Sequence, residues 1–439
     1  MPRKPEKLRE VPPEAGKTRF LDMPLHEDLQ FALQDIGFEY CTPIQEKALP
    51  YLLEGRDLAG KAQTGTGKTA AFLLALFQRM LTEPAPEPTP GRCRALILAP
   101  TRELAIQIHK DACDIAKYTG LYNTVVFGGM DHEKQRAALN RPIDVLIGTP
   151  GRVIDYARSG SLKLDSAAFL VLDEADRMLD MGFIPDVRRI IGMMPPREKR
   201  QTLLFSATLS PEITRLAAGF QRSDFVTVES EPDSIVGENI EQTFYSVSVR
   251  EKLPMLCYTI NHETFDRMLI FGNRKDHNLE IQHQLLRRGI SCELLSGDIP
   301  QQKRLNILER FRSGETRILI ATDVAARGIH VDDVSIVINY DLPEQAEDYV
   351  HRIGRTGRAG HKGKSISFVC EYGAYTMPAI EELLTCEFKS ILPDEEMLVL
   401  PEPVKSSDNI PESPSRAGRP RSSRHGRGGR PGRAGGRRS

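Results

Sequence analysis

A glycine-rich segment, Ala62-Gln63-Thr64-Gly65-Thr66-Gly67-Lys68-Thr69, places the strongest constraint on how this chain folds. A short apolar run, residues 58–60, precedes it, and residues 70–81, largely apolar and free of glycine and proline, follow it. This order predicts a strand, a tight turn and a helix. Glycine lets successive backbone N–H groups point at phosphate oxygens, and the helix N-terminus adds partial positive charge. We therefore expect a nucleoside-triphosphate site.

The end of this segment carries the residues that would act on the phosphates. Lys68 is placed to reach the β and γ phosphates, and the Thr69 hydroxyl is placed to hold Mg²⁺. The spacing fits G-x-x-x-x-G-K-[ST], except that Ala62 occupies the place of the first glycine. Alanine is small enough for that place, but it does not freely adopt a positive φ.

The composition excludes several classes of protein. The 439 residues suffice for two or three domains, and 40% hydrophobic with 27% charged residues is ordinary for a globular protein. No apolar run approaches the length of a membrane span, and the charged N-terminus lacks the apolar region of a secretory signal. None of the seven cysteines has metal-ligand or redox spacing. We expect no membrane partner, buried thiols in a reducing compartment and a cytoplasmic location.

The net charge of −1 conceals an asymmetry. Residues 413–439 hold nine arginines and no acidic residue, which leaves 50 basic and 60 acidic side chains in the rest of the chain. The body is therefore acidic and the tail strongly basic. A polyanion-binding tail is one interpretation, and a solubilising tail is the other.

Apolar runs alternate with longer helix-like stretches through most of the chain. This pattern predicts an α/β fold, with parallel sheets covered by helices on both faces. The first set of runs covers residues 94–99, 124–127, 145–147, 169–172 and 202–205, and the second covers residues 268–271, 292–295, 318–320, 336–338 and 366–369. Each run of the first set ends in polar or glycine-rich residues, and ligands bind beyond the carboxyl ends of parallel strands. We therefore expect the functional residues at one edge of the sheet.

A break in the alternation separates two α/β units, of which the second lacks a phosphate loop. The predicted organisation is a flexible lead over residues 1–19, a nucleotide-binding domain over 20–228, a linker over 229–240, a second domain over 241–395 and a disordered basic tail over 396–439.

Acidic and basic residues complete the predicted catalytic set. Asp173 ends an apolar run, where a second Mg²⁺-directing carboxylate belongs, and Glu174 beside it is suited to orient the attacking water. Arg352, Arg355 and Arg358 are spaced three apart, so a helix would gather them on one side. Alone, they would suit a solvated basic face or a phosphate-backbone clamp. Opposite a triphosphate they would act as arginine fingers, so hydrolysis would wait for the domains to close.

The segment around Gln45 is a candidate for reading the base. A glutamine amide held after a Thr-Pro turn can pair with N6 and N7 of adenine. Phe38 or Phe20 would then stack on the ring. A Thr-Pro helix start is common without any such role.

Taken together, these motifs resemble those of the DEAD-box ATP-dependent RNA helicases over about residues 20–395. The resemblance implies two tandem RecA-like domains joined by a short linker, with ATP and Mg²⁺ in the cleft between them and RNA across the opposite face. It rests on Phe20, residues 37–45, 62–69, 100–107, 128–129, 149–152, 173–176, 206–208, 269–273, 301–304, 321–328 and 351–358.

The resemblance also implies roles for further residues. The residues implied to contact the RNA backbone are Pro100, Thr101, Arg102, Gly129, Thr149, Arg152, Arg304 and Thr322. The residues implied to couple the nucleotide to the RNA are Asp176, Ser206, Thr208, His351 and Arg352.

Two departures from the family pattern stand out. Cys41 occupies a place where the family usually has proline, which would loosen that turn. His330 follows Arg327-Gly328-Ile329 where the family usually has aspartate, so the role of that aspartate is not carried over. The Arg-Gly-Ile-His form is similar to the RhlB-like bacterial branch, and this implies a partner in an RNA-decay (degradosome-like) assembly, with a ribosome-assembly complex as the alternative.

Four functions remain open at this point. The first is an RNA-stimulated ATPase that locally unwinds short RNA duplexes, and the second is an ATP-gated RNA clamp or remodeller of RNA–protein complexes. The third is an RNA-tethering scaffold that works through its tail. A DNA-directed helicase is possible on fold grounds, although residues 173–176 and the Gln45 segment argue against it.

Overall fold

The computed structural model describes residues 4–62, 65–83, 89–229, 239–326, 334–357 and 362–404. Within these residues the chain forms two seven-stranded sheets, and every pair of neighbouring strands is parallel.

The first sheet has the strand order β3-β4-β2-β5-β6-β1-β7. Its strands are β1 Leu58–Lys61, β2 Ala95–Leu98, β3 Asn123–Val126, β4 Val145–Gly148, β5 Phe169–Leu172, β6 Gln201–Ser206 and β7 Val226–Glu229. Its helices are α1 Glu27–Asp35, α2 Pro43–Leu53, α3 Lys68–Thr82, α4 Arg102–Ile115, α5 His132–Leu139, α6 Pro150–Arg158, α7 Ala175–Asp180, α8 Ile184–Ile191 and α9 Pro211–Phe220.

Helices cover both faces of this sheet because its central strands are apolar on both sides. In β2, Ala95 and Ile97 pack into one core with α2, α3 and α4, whereas Leu96 and Leu98 pack into a second core with α6, α7, α8 and α9. Successive side chains of a strand point to opposite faces, so a fully apolar run requires a helical layer on each.

The second sheet repeats this topology. Its order is β10-β11-β9-β12-β13-β8-β14, which is the order of the first sheet when its strands are counted from β8. Its strands are β8 Ile240–Ser246, β9 Met268–Phe271, β10 Glu293–Leu295, β11 Ile318–Ala321, β12 Ile336–Asn339, β13 Gly363–Val369 and β14 Ser390–Ile391. Its helices are α10 Lys252–His262, α11 Lys275–Leu286, α12 Gln301–Arg312, α13 Asp323–Ala326, α14 Ala346–Ile353 and α15 Met377–Leu384.

The predicted α/β architecture is confirmed, and every apolar run interpreted as a strand overlaps one. The strands β7, β8 and β14 were not predicted. In β7 and β8 buried and exposed residues are interleaved, and both residues of β14 are exposed. None of the three therefore contains the continuous apolar run that marks a central parallel strand.

Both ends of the described chain contact the domains, which differs from the predicted flexible lead and disordered tail. Residues 4–19 pack on the first domain, where Val11 is buried and Lys4 pairs with Asp28 at 2.6 Å. Near the other end, Arg288 Nε donates to the carbonyl of Pro401 at 2.9 Å, and Val404 N donates to the carbonyl of Arg287 at 2.9 Å. The remainder of the tail, residues 405–439, lies outside the described residues.

Candidate active site

The predicted strand, glycine turn and helix are present around the phosphate loop, between β1 and α3. Gly67 precedes α3 with φ 88°, and a Cβ there would lie 2.4 Å from Gln45 Nε2, so both backbone angle and space require glycine. Ala62 is buried, its N–H donates to the carbonyl of Ser206 at 2.9 Å, and its φ is not positive. Alanine therefore fits this place without strain. The predicted site residues Gln63 and Thr64 lie outside the described residues.

Lys68, the first residue of α3, forms a buried ion pair with Asp173. The Lys68 Nζ to Asp173 Oδ1 distance is 3.0 Å, and the two side chains are 5% and 0% exposed. Burial alone would lower the pKa of Lys68, but the carboxylates of Asp173 and Glu174 outweigh it, so this pKa is raised. The ammonium group is therefore charged, as binding an anionic ligand requires.

The residue next to Asp173 has an unusual backbone conformation. Glu174 precedes α7 at φ 53° and ψ 55°, in the left-handed region that costs a non-glycine residue about 1–2 kcal/mol. Its N–H donates to Asp173 Oδ1 at 3.0 Å, which fixes the Asp173 carboxylate against the Glu174 backbone. Strain of this kind is tolerated where a function requires a fixed side-chain direction.

The donor set around Asp173 fits a divalent cation. Among the described residues, Asp173 Oδ2 and Ser206 Oγ are buried without a hydrogen-bond partner. Unpaired buried oxygens are costly unless a ligand completes them, and Mg²⁺ prefers oxygen ligands. Thr69 lies one residue after Lys68, in the first turn of α3.

Asp176 connects the acidic segment to the end of β6. Its Oδ2 accepts from the N–H of Ala207 at 3.0 Å, and its Oδ1 accepts from the N–H of Arg177 at 2.9 Å. Ala207 lies between Ser206, which is buried, and Thr208, which is half-buried. The structure thus brings together the predicted coupling residues of the first domain.

The Gln45 amide is engaged with the protein itself. Its Oε1 accepts from the N–H of Thr42 at 2.8 Å, and its Nε2 donates to the carbonyl of Gly67 at 2.9 Å. The Thr42 hydroxyl donates to the carbonyl of Thr66 at 2.7 Å. The candidate adenine-reading segment is therefore fastened directly to the phosphate loop.

The two candidate aromatic residues lie together. Phe20 and Phe38 stack with ring centroids 6.3 Å apart. Phe20 is buried, whereas Phe38 is 38% exposed, so of the two only Phe38 presents a substantial accessible surface.

The expectation that one helix face gathers the three arginines is wrong. Helix α14 ends at Ile353, before Arg355. Arg352 is 1% exposed and points into the second domain, where its Nε and Nη2 donate to the two carboxylate oxygens of Asp323, each at 2.6 Å. The carboxylate of Asp323 therefore holds the Arg352 side chain within the second domain. Arg358 lies outside the described residues.

Residues from both domains line a common cleft. The first domain contributes Lys68 and Glu174, and the second contributes His351 and Arg355. Arg355 is only 8% exposed and lines this cleft. An arginine from one domain thus stands beside the phosphate loop of the other.

A second set of contacts joins the domains at the predicted RNA-binding residues. Arg304 Nε donates to Glu103 Oε1 at 2.9 Å, and both side chains are 9% exposed. Gln301 Nε2 donates to the same oxygen at 3.1 Å, and Arg102 Nη1 donates to Gln301 Oε1 at 3.3 Å. The guanidinium of Arg304 is therefore bonded within the protein, and its RNA contact stays a prediction.

The other predicted RNA-binding residues lie at the carboxyl ends of strands or at helix starts. Thr101 caps α4 by accepting from Leu104 N at 3.3 Å, and Gly129, at φ 80°, leaves room for the Arg102 guanidinium, which would lie 2.1 Å from a Cβ. Pro100, Thr149 and Thr322 immediately follow or adjoin β2, β4 and β11, and Arg152 lies in the first turn of α6. Their RNA contacts stay predictions.

Sequence reasoning missed several residues that join the domains. Glu103, Arg177, Gln301 and Asp348 contact residues 171 to 201 positions away. Pairs so distant in sequence leave no local pattern, although Glu103 and Gln301 lie within segments that carried the family resemblance.

Family models match both halves of the chain. A DEAD/DEAH box helicase model matches residues 42–216, and a helicase conserved C-terminal domain model matches residues 251–360. The ATP-dependent RNA helicase RhlB of Pseudomonas putida is 50% identical over 390 residues, covering 88% of this chain and 98% of the relative. The chain belongs to the DEAD/DEAH box helicase family.

Within this family, the chain is an RhlB-like member of the ATP-dependent RNA helicases. The RhlB of Shewanella piezotolerans is 48% identical over 407 residues, covering 92% of this chain and 93% of the relative. Saccharomyces cerevisiae Dbp5 bound to RNA and ADP BeF3 matches with a TM-score of 0.75 and 31% identity, over 85% of this chain and 95% of that chain. Mss116p bound to single-stranded RNA and AMP-PNP matches with a TM-score of 0.76 and 28% identity, over 89% and 84%. No helix among the described residues has the length and apolarity needed to cross a membrane.

Proposed function

We propose that this DEAD-box helicase binds single-stranded RNA across its two domains and locally unwinds short RNA duplexes, with ATP hydrolysis resetting the cycle. The observation that carries the proposal is the shared cleft, where Lys68 and Glu174 of one domain face Arg355 of the other. The RNA-bound and nucleotide-bound states of the matched Dbp5 structure support the assignment of ligands.

In the proposed mechanism, the phosphate loop and Lys68 bind the β and γ phosphates. Thr69 and Asp173 would hold Mg²⁺, which would neutralise phosphate charge. Glu174 orients the attacking water from its fixed backbone position. Arg355, together with Arg358, stabilises the charge that develops on the phosphates, an effect worth roughly 10³–10⁵ in rate or about 4–7 kcal/mol.

RNA controls this mechanism because the arginines come from the second domain. A strand bound across both domains favours the closed arrangement, which places Arg355 opposite the phosphate loop. Closure on one strand would bend it away from duplex geometry and release its complement. Because backbone contacts position a strand without reading bases, we expect little sequence preference.

The test is ATPase turnover with and without single-stranded RNA, followed by displacement of a strand from a short duplex. We expect RNA to raise turnover, Lys68→Ala to lose nucleotide binding, and Glu174→Gln to bind ATP and RNA without turnover. Turnover that does not respond to RNA would refute the proposal, and full turnover in Glu174→Gln would remove Glu174 from its role. RNA-stimulated turnover without strand displacement would instead support the clamp or remodeller.

The partner assembly and the cellular location belong to the same proposal. The likeness to RhlB supports an RNA-decay (degradosome-like) partner in the cytoplasm over a ribosome-assembly complex. Affinity purification of the chain from ribonuclease-treated cells tests this. Recovery of ribosome-assembly factors without decay nucleases would contradict it.

A further inference from the structure

An ion pair between the domains lies beside the candidate catalytic residues but takes no part in the mechanism above. Arg177 Nη1 of α7 lies 3.1 Å from Asp348 Oδ1 of α14. The two side chains are only 9% and 17% exposed, so the pair is largely shielded from water where the domains meet. Charge pairs in such surroundings interact more strongly than pairs on an open surface.

The location of each partner links this pair to the nucleotide. Arg177 directly follows Asp176 and so belongs to the segment that carries Glu174. Asp176 in turn accepts a hydrogen bond from the N–H of Ala207. Asp348 lies in the first turn of α14, the helix that leads to Arg355. A bond between these elements fixes the start of α14 against the acidic segment of the first domain.

We propose that Arg177 and Asp348 form a latch that stabilises the closed arrangement of the domains. The inference rests on the proposed function, because closure is what RNA and ATP would drive. Both are positioning residues, since neither is assigned to the reacting atoms. When the domains separate, both charges regain water, so the pair contributes to the closed state alone. A weaker latch therefore raises the RNA concentration needed for closure.

The test is a double-mutant cycle on the full chain with Arg177→Gln, Asp348→Asn and the double variant. The readout is ATPase turnover as a function of RNA concentration, with thermal unfolding measured in parallel. Each single variant should raise KM for RNA about ten-fold, the double variant should raise it no further, and kcat at saturating RNA should change much less. Arg189→Gln is the matched control, because Arg189 pairs with Asp186 at 3.1 Å on an exposed face of α8.

Non-additivity shows that the two residues act through each other, and a rise in KM for RNA with little change in kcat or thermal unfolding is the signature that a purely structural role would lack. Unchanged KM in both single variants, or a double variant whose effect is the product of the two, would overturn the latch. If Arg177→Gln does not fold, Arg177→Asp combined with Asp348→Arg should restore the KM for RNA that Asp348→Arg alone loses, and failure to restore it would also overturn the latch. If the wild-type chain shows no RNA stimulation, the proposed function fails as well. If it is stimulated and the variants match it, only the latch fails.

Discussion

At the scale of single residues, Asp341 is a carboxylate of the second domain with several hydrogen-bond and charge partners. Lys252 Nζ lies 2.7 Å from Asp341 Oδ1, and the N–H of Asn273 donates to Oδ2 at 3.1 Å. Burial would raise the pKa of Asp341, but the hydrogen bond from His277 and the charge of Lys252 outweigh burial and hold this pKa well below its usual range. The ionised form therefore stabilises the folded domain.

We expect Asp341→Asn to destabilise the second domain by about 3–5 kcal/mol, because Lys252, which is 2% exposed, would keep a buried charge without its partner. The stability that Asp341 contributes is complete above its unfolded pKa near 3.8 and declines as the pH falls below that value. Urea unfolding between pH 7 and pH 3 measures both effects.

Asp276→Asn serves as the control for this prediction, because its pair with Arg274 is 66% exposed on the aspartate side. It should change stability by less than about 1 kcal/mol. An Asp341→Asn loss no larger than that of the control would show that the buried pair contributes nothing net.

At the residue scale, sequence patterns pointed to candidate residues where chemistry and spacing are local. Lys68, Asp173 and Glu174 could be identified because each follows a recognisable strand or turn, and the structure brings them together. The direction of the Arg352 side chain could not be predicted, because it depends on Asp323, which is 29 residues away; its coupling role stays a prediction. Spacing along a helix does not reveal which side chain pairs with a carboxylate from another element.

At the scale of elements, the N-terminal strap, defined as residues 4–19, braces the segment that holds Gln45. The N–H of Cys41 donates to the carbonyl of Thr18 at 2.7 Å, and the Tyr40 hydroxyl donates to the carbonyl of Pro12 at 2.6 Å. Proline at position 41 would lack this donor. The departure expected to loosen the turn instead fastens it to the strap.

Cys41→Pro should therefore loosen the strap and weaken ATP binding. The lost hydrogen bond is worth about 1 kcal/mol. Loss of this free energy from the positioning of Gln45 corresponds to a rise of about five-fold in KM for ATP. Cys41→Ala is the matched control, because it keeps the N–H and should leave KM for ATP close to the wild-type value. ATPase assays at saturating RNA give the comparison. Equal KM values for ATP in the two variants would show that the strap does not affect the nucleotide site.

The strap shows why element-level prediction failed at the chain end. Residues 4–19 are charged and lack periodic hydrophobicity, so no regular element is expected there, and none forms. Among the contacts that order them, their backbone carbonyls accept hydrogen bonds from the Tyr40 hydroxyl and the Cys41 N–H, for which composition offers no signal.

At the scale of the whole molecule, alternation of apolar runs was sufficient to predict two parallel-sheet units with a ligand site at the strand ends. Their arrangement was not predictable in the same way. It depends on pairs such as Glu103 with Arg304, which are 201 residues apart. The chemistry of phosphoryl transfer led us to expect an arginine from the second domain. The structure shows that Arg355 lines the shared cleft.

The basic tail is expected to contribute affinity for RNA without specificity. If all nine arginines of residues 413–439 meet phosphates, they contribute at most about −6 to the log–log salt slope on a single strand. Deleting residues 405–439 retains the contacts of Pro401 and Val404 and should flatten the slope. RNA binding measured from 50 to 300 mM salt tests this, and unchanged affinity and slope would rule the tail out.

The matching strand order of the two sheets bears on the evolutionary origin of the chain. Lys252 begins the helix after β8 and pairs with Asp341 beyond β12, just as Lys68 begins the helix after β1 and pairs with Asp173 beyond β5. Even the backbone agrees, because Asp341 N donates to Phe271 O and Asp173 N donates to Leu98 O. Such agreement is what duplication of one ancestral nucleotide-binding unit would leave. Residues 247–251, which join β8 to Lys252, contain no glycine, so in the second unit the lysine and aspartate form an ion pair without a phosphate loop beside it.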